Sequence, residues 1–421
     1  MSDASLAMSE QKASDMKKHA GAILGFGLLL AVMIVIPMFG PSRGAYTLLN
    51  HIGISIVFAL SFNMLLGGAG MLSFGHGVYF GLAGFSCVHV MQWIAAGEGI
   101  WAHVPVASMP VIGFAMGALV AAVIGWPSCR RSGTAFAMIS LGIAELVAAA
   151  GYLFDSFFGG EVGVAGDRMA GPVFAGLTLG PVSEVYWFIA FWTFVGLLGT
   201  YLFTRTPLGR LSEATRDNAQ RVQFVGYDPT RIRYLVFIIA GGFAGLAGGM
   251  AAVQNEIFTL SAFSLQASGA VLIAAYLGGI RYFSGPILGA VLMTCIQSSL
   301  SDYTSAWLLY IGLLFIAVVM FSPNGFAGIA YGFWQGLRSP APQQFLRRSA
   351  VLAVAATAIA TAVVIFSEVA IRWSEGKGEV FAPFGRALRH DGMLTLVAIA
   401  VPLAIGVAAI RRLNLLEGRK R

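Results

Sequence analysis

The sequence predicts an all-α integral membrane protein, a polytopic bundle of about 10–12 transmembrane helices. Three observations carry that expectation. The 421 residues are 57% hydrophobic and only 11% charged, where soluble domains carry roughly 25% charged residues. Mean hydropathy is +0.79, so there is too little polar side chain to cover a water-facing surface of this size. Apolar runs of spanning length recur along the whole chain, and the basic residues gather between them.

Taken in order, residues 1–19 are mostly polar and read as a cytoplasmic tail. A span needs about 20 apolar residues. The runs at 20–40, 48–66, 70–94, 104–126, 132–154, 183–204, 232–254, 285–301, 305–321, 350–371 and 393–410 meet or approach that length. The first is read as a retained helix, since no small-residue cleavage site follows it. The run at 268–280 is too short to cross alone and is expected to be a half-helix or one arm of a broken element, which only a protein-lined cavity tolerates. With the N-terminus in the cytoplasm, 20 of the 26 Lys and Arg fall in inside segments and six outside, which predicts a cytoplasmic N-terminus and C-terminus. The main transmembrane domain is expected over 20–330, with a cytoplasmic loop at 205–233. A linker at 331–349 follows, then two extra helices and a basic tail, RRLNLLEGRKR, within 350–421. That tail reads as a contact for anionic lipid.

Several function classes are disfavoured at this level. The excess of basic residues is distributed as topology signals, not as a nucleic-acid patch. Cys87, Cys129 and Cys295 have no metal-ligand or disulfide spacing, and the six His are scattered. No GxxxxGK[ST] loop occurs, so ATP would have to be handled by another chain. Glycine is abundant, 53 in all, and Gly241, Gly245 and Gly249 share one helix face, as do Gly77 with Gly81 and Gly285 with Gly289. Such stripes let helix backbones approach closely in lipid.

The loop RTPLGRLSEATRDNAQRVQFVGYDPTRIR at 205–233 is long, basic and helical in pattern. Thr206-Pro207 suits a helix start. Leu211, Ala214, Asn218, Val222 and Val225 recur at intervals of three or four, and Gly226 is placed to supply a left-handed stop. An amphipathic helix over 208–226 is therefore expected at the membrane surface. Residue pattern alone leaves three roles open: a helix lying on lipid, a plain connector, or an element that docks into a partner. The stripe has few bulky anchors, which disfavours lipid.

Here a family resemblance becomes specific. LSEATRDNAQRVQFVGYD is similar to the coupling loop of ABC importer permeases, and most similar to the permease subunit of branched-chain amino acid importers, the LivM-like family. LSFNMLLGGAGMLSFGHGVYFGLAGF, FAMISLGIAELV, FFGGEVGVAG, IAGGFAGLAGGMAA, LGGIRYFSGPILGAVL and FSPNGFAGI match in the same order, over about residues 45–330. The resemblance implies one half of an importer, not an enzyme. It implies a second, LivH-like permease, two P-loop ATPases and a periplasmic solute-binding protein, in a bacterial inner membrane. No cofactor would be bound by this chain, and ATP and Mg would sit on the ATPases. Glu213, Ala214, Arg216 and Gly226 would mark the ATPase-coupling helix, and Leu66–Phe74 and Gly159–Gly163, including Gly159 and Gly160, the glycine-rich segments near the path. Two departures stand out: Ala214 is followed by Thr215 where the family has a second Ala, and Glu161-Val162 replaces a polar pair.

Candidate path residues follow from their cost in lipid. Glu145 lies mid-span, where a carboxylate should face the bundle interior or a wet cavity, as path lining or as a helix tie. Asn63 is a polar group in a span, and His76 follows LSFG near a span start, where it is either an interior donor or a path group. Asp155, Glu161, Asp167 and Arg168 fall in the outside loop 155–182, a solvated face or a contact for a binding protein. An ion-coupled secondary transporter would need several intramembrane charges, and Glu145 alone is thin support. A membrane-embedded enzyme would need clustered His, Asp or Glu at one face.

Overall fold

The computed structural model describes residues 40–338 apart from 98, 174–175, 302–303 and 305–306, with further stretches inside 31–38 and 343–404. In chain order the helices are α1 (Arg43–Asn63), prolonged by a π-helical turn at Met64–Gly68, then α2 (His76–Ala96), α3 (Met109–Ser128), α4 (Thr134–Leu153) and α5 (Val182–Arg205). Two short helices follow, α6 (Pro207–Asp217) and α7 (Ala219–Phe224), and then α8 (Pro229–Asn255), α9 (Leu265–Gly278), α10 (Ser284–Ser301), α11 (Trp307–Phe321) and α12 (Gly325–Leu337). Among the described residues six helices are long and apolar enough to cross a membrane, α1 to α5 and α8, or seven if α11 and α12, bent by 49°, form one broken span. The sequence expected 10–12. The expected helices at 20–40 and 393–410 lie mostly outside the described residues, and 350–371 is described only in part, as helix at 350–355, 357–358, 361–362 and 364–365.

The expected spans at 48–66, 104–126, 132–154, 183–204, 232–254 and 305–321 each coincide with a helix to within a few residues. The run at 70–94 starts late, at His76, because Gly70 sits at φ +68 and turns the chain out of the π-helical segment. The turn between them is not in lipid: Met71 and Ser73 are fully buried in protein. At 14 residues α9 spans about 21 Å, short of the roughly 30 Å hydrocarbon core.

The chain forms two compact units, the first running to Ala275 and including Gly289–Cys295, the second holding Tyr276–Leu288 and residues from Ile296 onward. The first is built around α8, whose apolar window is 83% buried. Its sides are covered by α3, α2 and α1. The contact with α3 is backbone against backbone. Gly241, Gly245 and Gly249 face Gly113, Gly117 and Ala121, and a Cβ added at Gly113, Gly117 or Gly245 would strike the opposite helix's carbonyls. Without a hydrophobic drive between helices in lipid, this close approach is the main source of association. The far side of α3 shows Val111, Leu119, Val123 and Trp126, all exposed, which is a lipid-facing row. α1 and α5 pair through Gly53 against Thr193 and Gly196 against Val57.

Beyond the end of α8, Ile257–Phe258 pairs antiparallel with Val164–Ala165. This brings Phe258 and Phe263 onto α2, where Gly84 and Gly81 leave room for their rings and Phe263 stacks on Phe85 at 5.4 Å. In the second unit the turn at Gly279, φ +109, presses on the backbone of Asn324 and Gly325, so the segments LGGIRYFSG and SPNG form one tight junction. Tyr282 packs on Tyr331 there, and Tyr276 on Phe315.

Candidate functional site

The polar loop between α5 and α8 begins as the sequence predicts. Thr206 caps α6 by accepting from the Gly209 N–H at 3.1 Å, and Pro207 occupies the first helical position. Gly209 is required because a Cβ there would strike the Phe203 carbonyl, so α6 folds tightly back on the end of α5. The single helix expected over 208–226 is instead two. Asn218, φ −159 and ψ 97, interrupts it and caps α7 by accepting from the Arg221 N–H at 2.9 Å. Its side chain competes for backbone donors, which is why Asn ends helices more readily than it continues them. Gly226, φ +93, ends α7 as expected.

α6 has two distinct faces. Glu213 and Ala214 are exposed, while Ser212 and Thr215 are buried against the bundle. The buried stripe is therefore not the one containing Ala214 that spacing suggests. Beyond α6, Phe224 is 90% exposed, and Val225 and Tyr227 extend the same exposed apolar stretch. Sequence reasoning missed Phe224; its signal was a large apolar residue one step outside the helical stripe.

Arg216, with its side chain 37% exposed, reaches the bundle with its guanidinium. It donates through Nη1 to the Gly67 carbonyl in the π-helical turn, and its stem passes Gly70, the residue that ends that turn. Asp217 holds the guanidinium at 3.0 Å. Ser212 lies beside the same turn, its Oγ 3.5 Å from where a Cβ on Gly68 would stand.

Just above, Asn63 ends α1 with its Oδ1 buried and without a partner among the described atoms. Two residues earlier Ser61 donates to the Phe58 carbonyl at 2.7 Å and lies 2.8 Å from His76 Nε2. With its only proton used, Ser61 must accept, so Nε2 carries the imidazole proton. His76 Nδ1 is then a buried acceptor with no described partner. Phe58 stacks on the imidazole, and Phe62 and Tyr79 meet it edge-on, at 5.4–5.9 Å. His76 is thus enclosed and does not line an open cavity. Its segment is tied on both sides by serines the sequence did not single out: the Phe74 N–H donates to Ser140 Oγ and the Gly77 N–H to Ser268 Oγ, each at 3.0 Å.

Of the two settings expected for Glu145, the bundle interior and a wet cavity, the interior of this chain's own bundle is not the one it takes. It lies exposed on α4, with Met138, Leu146 and Tyr152 also exposed, and α4 is only 28% buried over its apolar window. Gly159 and Gly160, at φ +69 and +62, form the turn after α4, where Gly159 closes against the Gly163 carbonyl. Glu161 and Val162 stand out from it, exposed. The loop is fastened to the end of α8 by Arg168, which lies 3.7 Å from the Glu256 carboxylate and donates to the Gly180 carbonyl at 3.3 Å. His76 is buried, whereas Glu145 and Gly159 are exposed. Among the described residues no three His, Cys, Asp or Glu gather as a metal site.

A bundle with glycine-to-glycine helix contacts, a polar helix folded back on one end and a fastened loop at the other is an all-α, multi-pass permease of the ABC importer type. The chain belongs to the family described as branched-chain amino acid transport system / permease component, which matches residues 44–322. It is 25% identical to the high-affinity branched-chain amino acid transport system permease protein LivM of Escherichia coli (strain K12), over 71% of this chain and 74% of that protein. It is 26% identical to LivM of Salmonella typhimurium, over the same 71% and 74%. A probable branched-chain amino acid transport permease protein LivH of Methanocaldococcus jannaschii is 27% identical over 39% of this chain and 56% of that protein. No solved structure matches. Family and helices together make the chain a membrane transport subunit and favour the ABC permease over the ion-coupled alternative.

Proposed function

We propose that this chain is one permease subunit of an ATP-driven importer for branched-chain amino acids or related small solutes such as amides, urea or aromatic acids. A second, LivH-like permease completes the path, two P-loop ATPases dock on the cytoplasmic side, and a periplasmic binding protein delivers the solute. ATP and Mg are handled by the ATPases, whose closure drives alternating access. The observation that carries this reading is the two-faced α6, with Glu213 and Ala214 exposed on one side and Ser212 and Thr215 seated on the bundle on the other. Glu213, Ala214 and Gly226 then belong to the ATPase contact, and the exposed Phe224 extends it with apolar area. Glu145, on the sparsely buried α4, faces the path and the second permease, where a mid-span carboxylate avoids lipid. Asn63 and His76 lie behind the path wall, and the Gly159–Gly160 turn sits at its outer mouth.

The test is gentle purification from the native membrane with mass spectrometry of what accompanies the chain. A P-loop ATPase and a second permease are expected, and Ala214→Trp should release the ATPase while leaving the chain in the membrane. A chain that emerges alone, or only with copies of itself, would return the ion-coupled transporter to first place.

A further inference from the structure

Helix α1 does not finish as an α-helix. Its last turn, Met64–Gly68, is π-helical, a geometry that is rare and concentrated at functional sites. The turn is closed by the Met71 N–H on the Leu65 carbonyl at 2.9 Å and by Gly70 at φ +68. The Gly67 carbonyl is taken by a side chain from outside the helix, the Arg216 guanidinium. Three independent features hold that contact in register. Asp217 grips the guanidinium at 3.0 Å. The arginine stem crosses Gly70 so closely that a Cβ there would lie 2.8 Å from Arg216 Cγ. Ser212, one turn back on α6, lies beside Gly68, its Oγ 3.5 Å from where a Cβ on that glycine would stand. The face of α6 that carries Glu213 and Ala214 is meanwhile exposed.

We propose that Arg216 is a positioning residue: it carries displacement of α6 into the membrane by pulling the Gly67 carbonyl and so shifting the π-helical turn of α1. This rests on the importer reading above, and it assigns Arg216 to the bundle, not to the ATPase surface. A push on the exposed face moves α6, a short helix seated on the bundle through Ser212 and Thr215. The guanidinium, whose planar fork fixes donor direction, transmits that movement to a segment already departing from α-helical register. The end of α1 carries Asn63 and, two residues further in, Ser61 with its bond to His76, so a change in the turn reaches the contact between α1 and α2.

The experiment compares the wild-type complex with Arg216→Met, which keeps a stem against Gly70 and removes the donors, and with Arg216→Lys, which keeps the charge without the fork. Each is scored for ATPase co-purification, ATP hydrolysis and solute uptake in vesicles. The Met variant is expected to retain its ATPases and hydrolyse ATP at close to the wild-type rate while importing at least tenfold less, with Lys recovering part of the uptake. A lesion that was merely structural would lower assembly and hydrolysis along with uptake. Loss of the ATPases from an otherwise intact Met variant, or uptake within twofold of wild type, overturns the proposal. Should the Met variant not accumulate, the Lys variant decides: reduced uptake with ATPases bound supports it, and wild-type uptake overturns it. A wild-type chain that brings down no ATPase overturns the importer reading and this inference with it. Retained ATPases with normal import by the Met variant overturn this inference alone.

Discussion

Glu145 shows how one residue separates the demands of folding from those of transport. Inside a span a carboxylate is costly, so sequence alone sends it to the bundle interior or to a wet cavity. The structure leaves it exposed on α4, where it ties no helix of this chain among the described residues. If it lines the path beside a second subunit, Glu145→Gln removes a charged hydrogen-bonding group from the solute's route and nothing from the fold. A hydrogen bond to a charged group contributes about 1.5–3 kcal/mol, so uptake should fall roughly tenfold or more. Thermal unfolding of the purified complex should not move downward. Unchanged uptake with a lowered melting temperature would instead make Glu145 a tie between subunits. His76 is the opposite case. Its polar chemistry was legible as a functional candidate, yet the aromatic rings and Ser61 that enclose it come from residues 58–79, a local cage that no spacing rule revealed.

Among the elements, the glycine-lined contact of α3 with α8 sets the architecture of the first unit. The stripe on α8 was readable as Gly241, Gly245 and Gly249; its complement Gly113, Gly117 and Ala121 has the same spacing but was not paired with it, because a stripe names a face and not a partner. Gly117→Ala would drive a methyl group into the α8 backbone and should cost about 1–3 kcal/mol, as overpacking typically does. Leu119→Ala, on the exposed row of the same helix, should change stability by no more than about 0.5 kcal/mol. Thermal melts of both variants in detergent check this; equal effects would mean that α3 and α8 are not held at backbone distance. Adding Gly245→Ala to Gly117→Ala should fall short of additivity, since both methyl groups enter one contact. Helix boundaries were legible wherever a cap or proline marked them, as at Thr206-Pro207 and Asp228-Pro229. They were not where a single residue switched role. Asn218 fits an amphipathic stripe by spacing and ends the helix by hydrogen bonding, and Gly70 sits in an apolar run that hydropathy reads as continuous.

At the scale of the molecule, composition and charge were enough to predict a multi-pass bundle, while the path was not legible: in the proposed importer its second wall belongs to another chain. Orientation is the property that joins the two ends of the structure. α5 has 24 residues, about 36 Å of helix, and it separates the Gly159–Gly163 turn from the α6–α7 segment, so these two loops are expected on opposite sides of a membrane. The distribution of basic residues predicts that α6 and α7 lie inside. Val162 and Val225, 79% and 71% exposed, are suitable reporters as single cysteines. The background is low: Cys87 and Cys129 are buried, and burial pushes the Cys129 thiol up to about 12, so almost none is thiolate at neutral pH. Cys295, which is partly exposed, is replaced by Ser. An impermeant maleimide should label Val162→Cys in intact cells, and Val225→Cys only in inverted vesicles stripped of peripheral proteins. The reverse pattern would put α6 and its Arg216 tie on the outer face and remove any route from an ATPase to α1. Labelling of both from one side would mean that α5 does not cross.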